Sequence, residues 1–194
     1  MFEIPTYIKV GEQSYNITKQ GDFRMVLDCF AALNDTELSK EERLIAALII
    51  FYEDLEDVED VLELDYETLE ALTKEMYKFF NCGNSDGVGN KVKHNLVDWE
   101  KDEQFICSAV NNVAKKEIRL EPYLHWWTFM GYYLAIGESP MSTIISIRNK
   151  IVEGKKLEKY EQEFRHDNPQ YFQWDSKSQE EKDAEKAIMD MWNS

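Results

Sequence analysis

DWEKDEQFICSAVNNVAKKEIRLEPYLHWWTFMGYYLAIGES, residues 98–139, decides the fold class. It carries three of the five tryptophans, and residues 123–136 are the most aromatic window of the chain. Each ring removes a large apolar area from water once covered, so this density marks a buried centre on which other segments pack. Trp99, Ile106, Val110 and Val113 fall at helical spacing, led by Asp98, Glu100, Asp102 and Glu103, whose charge suits the positive end of a helix macrodipole. Pro122 is placed to open the next helix, which is apolar on every side, with Leu124, Trp127, Gly131 and Leu134 on one face and Tyr123, Trp126, Met130 and Tyr133 on another. Such a helix is covered by its own fold or by a partner.

Toward the carboxy terminus, Gly137 ends that helix and Ser139-Pro140 opens another bearing Ile144, Ile147 and Ile151, closed by Gly154. Charges alternate from Lys155, the pattern breaks at Asn168-Pro169, and Ser178 with Glu181 begins a last helix ending near Trp192. With few apolar anchors, this tail reads as a solvated appendage. Toward the amino terminus, Gly11-Glu12-Gln13 between short alternating runs reads as a β-hairpin. Asp22 caps a helix ending near Asn34, Ser39 and Glu42 form a capping box for the next, and residues 65–80 form a further helix. The acidic run from Glu53 to Glu75 reads as a solvated face over buried Leu55, Val58, Val61, Leu62 and Leu64. The fold expected is mainly α, a helical bundle-like domain with a short N-terminal β-hairpin. Its segments are 1–82 with the hairpin and first helices, a Gly/Asn-rich linker at 83–97, an aromatic helical core at 98–154 and a charged tail at 155–194.

The formal charge of −16 sets a field that repels phosphate backbones and anionic lipid surfaces, so neither nucleic acid nor membrane is an expected partner. No window is long and apolar enough to span a bilayer, and the amino terminus lacks the basic-then-apolar order of a secretory signal. Cys29, Cys82 and Cys107 form no C-x-x-C pair and read as reduced thiols. Residues 81–90 are rich in glycine and asparagine, but Gly87-x-Gly89 lacks the third glycine of a dinucleotide loop and no Gly-Lys-Ser/Thr follows.

His125, beside Trp126, invites a catalytic reading, yet nothing at a telling spacing supplies a nucleophile or an orienting carboxylate. A core histidine held by a hydrogen bond accounts for it better. His94 with Asp98, four apart, and His166 with Asp167 sit in linker and charged-tail settings and give neither the H-x-x-x-H nor the E-x-x-H pattern of a specific metal pair. Asp98 and Asp102 could hold a cation, with His125, in a small metal-dependent hydrolase. The simpler account makes them structural ion-pair partners of Arg119 and Arg148. No catalytic, cofactor or metal site is therefore assigned, and an enzyme is not expected.

The 98–139 stretch, with RNKIVEGKKLEKYEQEF behind it and GDFRMVLDCFAAL, DTELSKEERLIAALIIFY and FNCG before it, resembles the bacteriophage Gp15 protein family. YLHWWTF after DWEKD is the most specific part. The resemblance implies a protein of long-tailed phages and prophages of Gram-positive bacteria, encoded near the tape-measure gene and acting in tail assembly as a chaperone. Its implied partners are the tape-measure protein, the tail-tube protein and a companion assembly chaperone, with self-association open, in the cytoplasm of the bacterial host and absent from the mature virion. A structural tail component retained in the virion is the alternative. Residues expected at the partner contact are Trp99, Tyr123, Trp126 and Tyr133, with a wholly buried role for all four as the competing reading.

Overall fold

A computed structural model of the chain describes residues 3–84 and 95–174. Among these, eight α-helices and one two-stranded antiparallel hairpin confirm the mainly α class. The chain divides into two compact units: Met1–Gly89 with Leu120–Tyr132, and Asn90–Arg119 with Tyr133–Ser194.

In the first unit β1 (Tyr7–Val10) pairs with β2 (Gln13–Asn16) in the register Val10↔Gln13. Gly11 turns the hairpin at φ +61°, a conformation that costs a residue with a Cβ. Lys19, Gln20 and Gly21 follow in succession with positive φ and bend the chain into α1 (Phe23–Asn34). Gly21 is obligatory there, because a Cβ would come within 2.8 Å of the Phe79 ring and 2.9 Å of His125 Nε2. The Asp22 carboxylate caps α1 by accepting from the Arg24 amide. α2 (Lys40–Phe51) starts in the Ser39–Glu42 capping box and packs along α1. At its end Tyr52 forms a β-bridge with Ile17 and donates its hydroxyl to Leu72 O at 2.8 Å. That one residue ties the hairpin and α2 to the segment carrying Leu72.

α3 (Val58–Leu62) is a single short helix capped by Asp57, and α4 (Tyr66–Phe80) is capped by Asp65. Leu48, Phe51, Leu72 and Met76 are wholly buried between these elements, each contributing about 1.5–3 kcal/mol by burial. Burial also pushes the Cys29 thiol and the Tyr52 phenol well above their usual ranges, the thiol mainly through desolvation. Neither ionises near neutrality.

In the second unit α5 (Glu103–Ala114) packs on α7 (Pro140–Val152), and α8 (Lys159–Asp167) leads into a 3-10 turn, Pro169–Phe172, that returns to α7. Ser139 caps α7 with Pro140 at its first position, and Gly154 leaves it at φ +66°. Both follow the sequence reading.

Four expectations are corrected. α5 begins at Glu103 and not near Asp98, because Asp102 Oδ2 accepts the Asp98 amide at 2.9 Å and holds the preceding residues in a turn. α6 (Trp126–Leu134) begins well after Pro122, since Phe23 donates its amide to Leu124 O and Asp22 bridges to His125 in antiparallel pairing. Backbone committed to that pairing cannot be helical. The 98–154 stretch is not one core segment, because Leu120–Tyr132 belongs to the first unit. The tail is docked at least as far as Trp174, through contacts described below. The linker read at 83–97 and the helix read behind Ser178 and Glu181 lie largely or wholly outside the described residues.

Candidate functional site

In the first unit the residues of YLHWWTF are fixed one by one. His125 directly precedes α6, and its ring Nδ1 accepts the Trp127 amide at 3.0 Å, so the imidazole is a helix cap. Nε2 lies 3.0 Å from Pro5 O. An amide only donates and a carbonyl only accepts, so the ring is neutral with its proton on Nε2. Burial draws the His125 pKa below its usual value, against the opposing pull of the Pro5 carbonyl and of Asp22. A base with both nitrogens engaged has no free position for a substrate proton or a metal.

Trp126 and Trp127 finish a second helix. Their indole N–H groups donate to Phe80 O and Phe79 O, each at 2.9 Å, supplying partners to carbonyls in the last turn of α4. Trp126 also stacks on Phe129 at 5.5 Å and meets Phe30 edge-on at 5.7 Å, while Phe129 stacks on Phe23 at 4.7 Å. Such ring pairs add about 0.5–1.5 kcal/mol each beyond area burial. Asp22 joins the set: it accepts the Leu124 amide at 2.9 Å and pairs with Arg24, whose Nη2 donates to Glu121 O. Beside Trp127 an open cleft of about 220 Å³ is lined by Tyr7, Ile8, Lys78 and Phe79.

In the second unit the centre is Arg148, 1% exposed, paired with Asp102. Nη1 and Nη2 form the bidentate contact with the carboxylate, Nη1 also donates to Leu96 O at 3.0 Å, and Nε and Nη2 donate to Tyr171 O. All five guanidinium donors are used. The Trp174 ring lies 4.9 Å from the guanidinium carbon, and its indole donates to Asn95 O. Glu161, 1% exposed, accepts Lys150 Nζ at 2.7 Å and the Glu158 amide, which together draw its pKa down. These contacts hold residues 95–102 and 157–174 onto α7.

The ion pairs read from the sequence are therefore met in one case, Arg148 with Asp102. Arg119 instead pairs with Glu117 two residues away, at 2.8 Å, and these hydrogen bonds hold the Glu117 carboxyl down to about 2. Asp98 faces Lys101 at 3.4 Å and accepts its amide. Sequence spacing could not rank these partners, because a local and a distant carboxylate look alike along the chain. Among the described residues no three His, Cys, Asp or Glu side chains gather to hold a metal. No described helix is long and apolar enough to cross a membrane.

Of the four aromatics read as a partner contact, Trp126 is 1% exposed and presents no surface, which corrects that reading: its ring fills the centre of the first unit. Trp99 and Tyr133 are half-buried against each other, with ring centres 5.4 Å apart in the second unit. Tyr123 is exposed and donates to Gln20 O at 3.0 Å. A different apolar set is uncovered. Val58 and Leu62, expected inside, are exposed, as is Tyr66. In so short a helix Val61 turns inward on the side packed against α2, while Val58 and Leu62 turn outward.

In both small helical units the buried polar side chains serve as caps and clamps. The chain belongs to the bacteriophage Gp15 family: the family model described as Bacteriophage Gp15 protein matches residues 3–172. That span runs from the strand-leading residues to the 3-10 turn against Arg148, through both units. The family is one of phage structural or assembly proteins and is not a known enzyme family. No curated protein and no solved structure matched the chain.

Proposed function

We propose that this chain is a tail assembly chaperone that binds the tape-measure protein and keeps it soluble while tail-tube subunits polymerise around it. The observation that carries the reading is the family match over residues 3–172. Physical chemistry supports it: a charge of −16 keeps a coated complex soluble, and exposed apolar side chains such as Leu62, Tyr66, Leu120 and Leu134 offer contact area to a helical client. The tail-tube protein and a companion chaperone are further partners in this reading, and the site of action is the cytoplasm of the bacterial host. Co-expression with the tape-measure protein encoded nearby is the test. A soluble, co-purifying pair is expected, with this chain missing from purified virions by mass spectrometry. Stoichiometric retention in the virion, with a tape-measure protein that stays insoluble, replaces the chaperone by a structural tail component.

A further inference from the structure

Val58, Leu62 and Tyr66 are 49, 69 and 77% exposed, three large apolar side chains left uncovered within nine residues. Val58 and Leu62, four apart, share one face of α3, and Tyr66 opens α4. Their setting is EDLEDVEDVLELDYETLE, residues 53–70, with ten carboxylates and no lysine or arginine anywhere between Arg43 and Lys74. The aspartates are engaged locally: Asp54 accepts the Asn16 amide, Asp57 and Asp60 close the α3 capping box, and Asp65 accepts from Thr68. The six glutamates are exposed, and none pairs with a lysine or arginine among the described residues.

An uncovered apolar face inside an unneutralised acidic field has a definite complement. It needs apolar side chains at helical spacing, to cover Val58, Leu62 and Tyr66, and positive charge distributed along the same element. A single metal ion does not supply this, since no three carboxylates gather to ligate one among the described residues. An anionic membrane or nucleic acid is repelled. We infer that this face of the first unit docks a cationic amphipathic helix of another protein, with its apolar side on Val58, Leu62 and Tyr66 and its lysines or arginines among the surrounding glutamates. The inference deepens the assembly reading and rests on it for the natural partner.

The probe is a synthetic amphipathic helical peptide of leucine and lysine, titrated into the isotopically labelled full chain, with a lysine-to-glutamate version as control. Amide shifts concentrated in residues 53–70 are expected. So is at least tenfold weaker binding by the Val58→Ser/Leu62→Ser/Tyr66→Ser variant and by the Glu59→Gln/Glu63→Gln/Glu67→Gln variant. Shifts scattered over other acidic surfaces, or undiminished affinity in either variant, overturn the inference. All six positions are exposed and none is a capping aspartate, so unchanged circular dichroism is expected of both variants. In co-expression, variants that lose the tape-measure protein support the face. Variants that keep it overturn the face and leave the chaperone reading standing. A wild-type chain that binds the peptide here yet leaves the tape-measure protein insoluble supports the face and removes the chaperone reading.

Discussion

At His125 one imidazole does two jobs, closing α6 through Nδ1 and holding Pro5 through Nε2. The cap needs the neutral ring, since Nδ1 must accept, whereas the Pro5 contact survives protonation. Because burial sets its folded pKa below the usual value of 6.5, the unfolded chain binds the proton more readily. Stability contributed by the neutral ring is complete above the unfolded value and is lost as pH falls through it toward the lowered folded value. The wild-type melting temperature is therefore expected to fall between pH 7.5 and 5 more steeply than that of His125→Asn. The variant can still cap α6 but gives up the hydrogen bond to Pro5 O, and should be less stable at pH 7.5 by about 1 kcal/mol. Parallel pH profiles for the two proteins would contradict this assignment. The sequence displayed His125, Trp126 and Trp127 but not their roles, since the carbonyls of Pro5, Phe80 and Phe79 that receive them lie far away along the chain.

Among the elements, α7 carries the second unit through Arg148. Substituting lysine keeps the charge but offers three donors from one point where five are now arranged in a plane. Arg148→Lys is expected to destabilise by about 1–3 kcal/mol, the cost of leaving buried acceptors without a donor, and to release residues 169–174 to early proteolysis. A lysine variant with wild-type melting and wild-type cleavage would show that the bidentate geometry is not needed. Local signals placed the ends of most helices well: Asp22, Ser39, Asp65 and Ser139 all cap where their side chains predict. They failed where a distant partner intervenes, at Leu124 and His125, which pair with Phe23 and Asp22, and at Asp98, whose amide is taken by Asp102. Helical periodicity runs on through such places because an apolar residue is equally apolar in a strand.

For the molecule as a whole, 38 acidic against 22 basic residues impose self-repulsion on the compact state. Added salt shortens the reach of that repulsion, from about 30 Å at 0.01 M to about 3 Å at 1 M, while leaving the buried Arg148–Asp102 pair nearly unscreened. The melting temperature is expected to rise by several degrees as sodium chloride goes from about 0.01 to about 0.5 M at pH 7.5. A flat or falling profile would mean that exposed ion pairs such as Lys78–Glu75 outweigh the repulsion. Fold class was legible in the sequence because it depends on periodicity and caps. The partition into units was not, because it depends on where Leu120–Tyr132 packs. That partition bears on vectorial synthesis. When residue 89 has just been added at the ribosome, Phe30, Phe79 and Phe80 still lack Trp126, Trp127 and Phe129, so the nascent amino-terminal half must wait with its aromatic centre unfilled until Tyr132 has emerged from the exit tunnel.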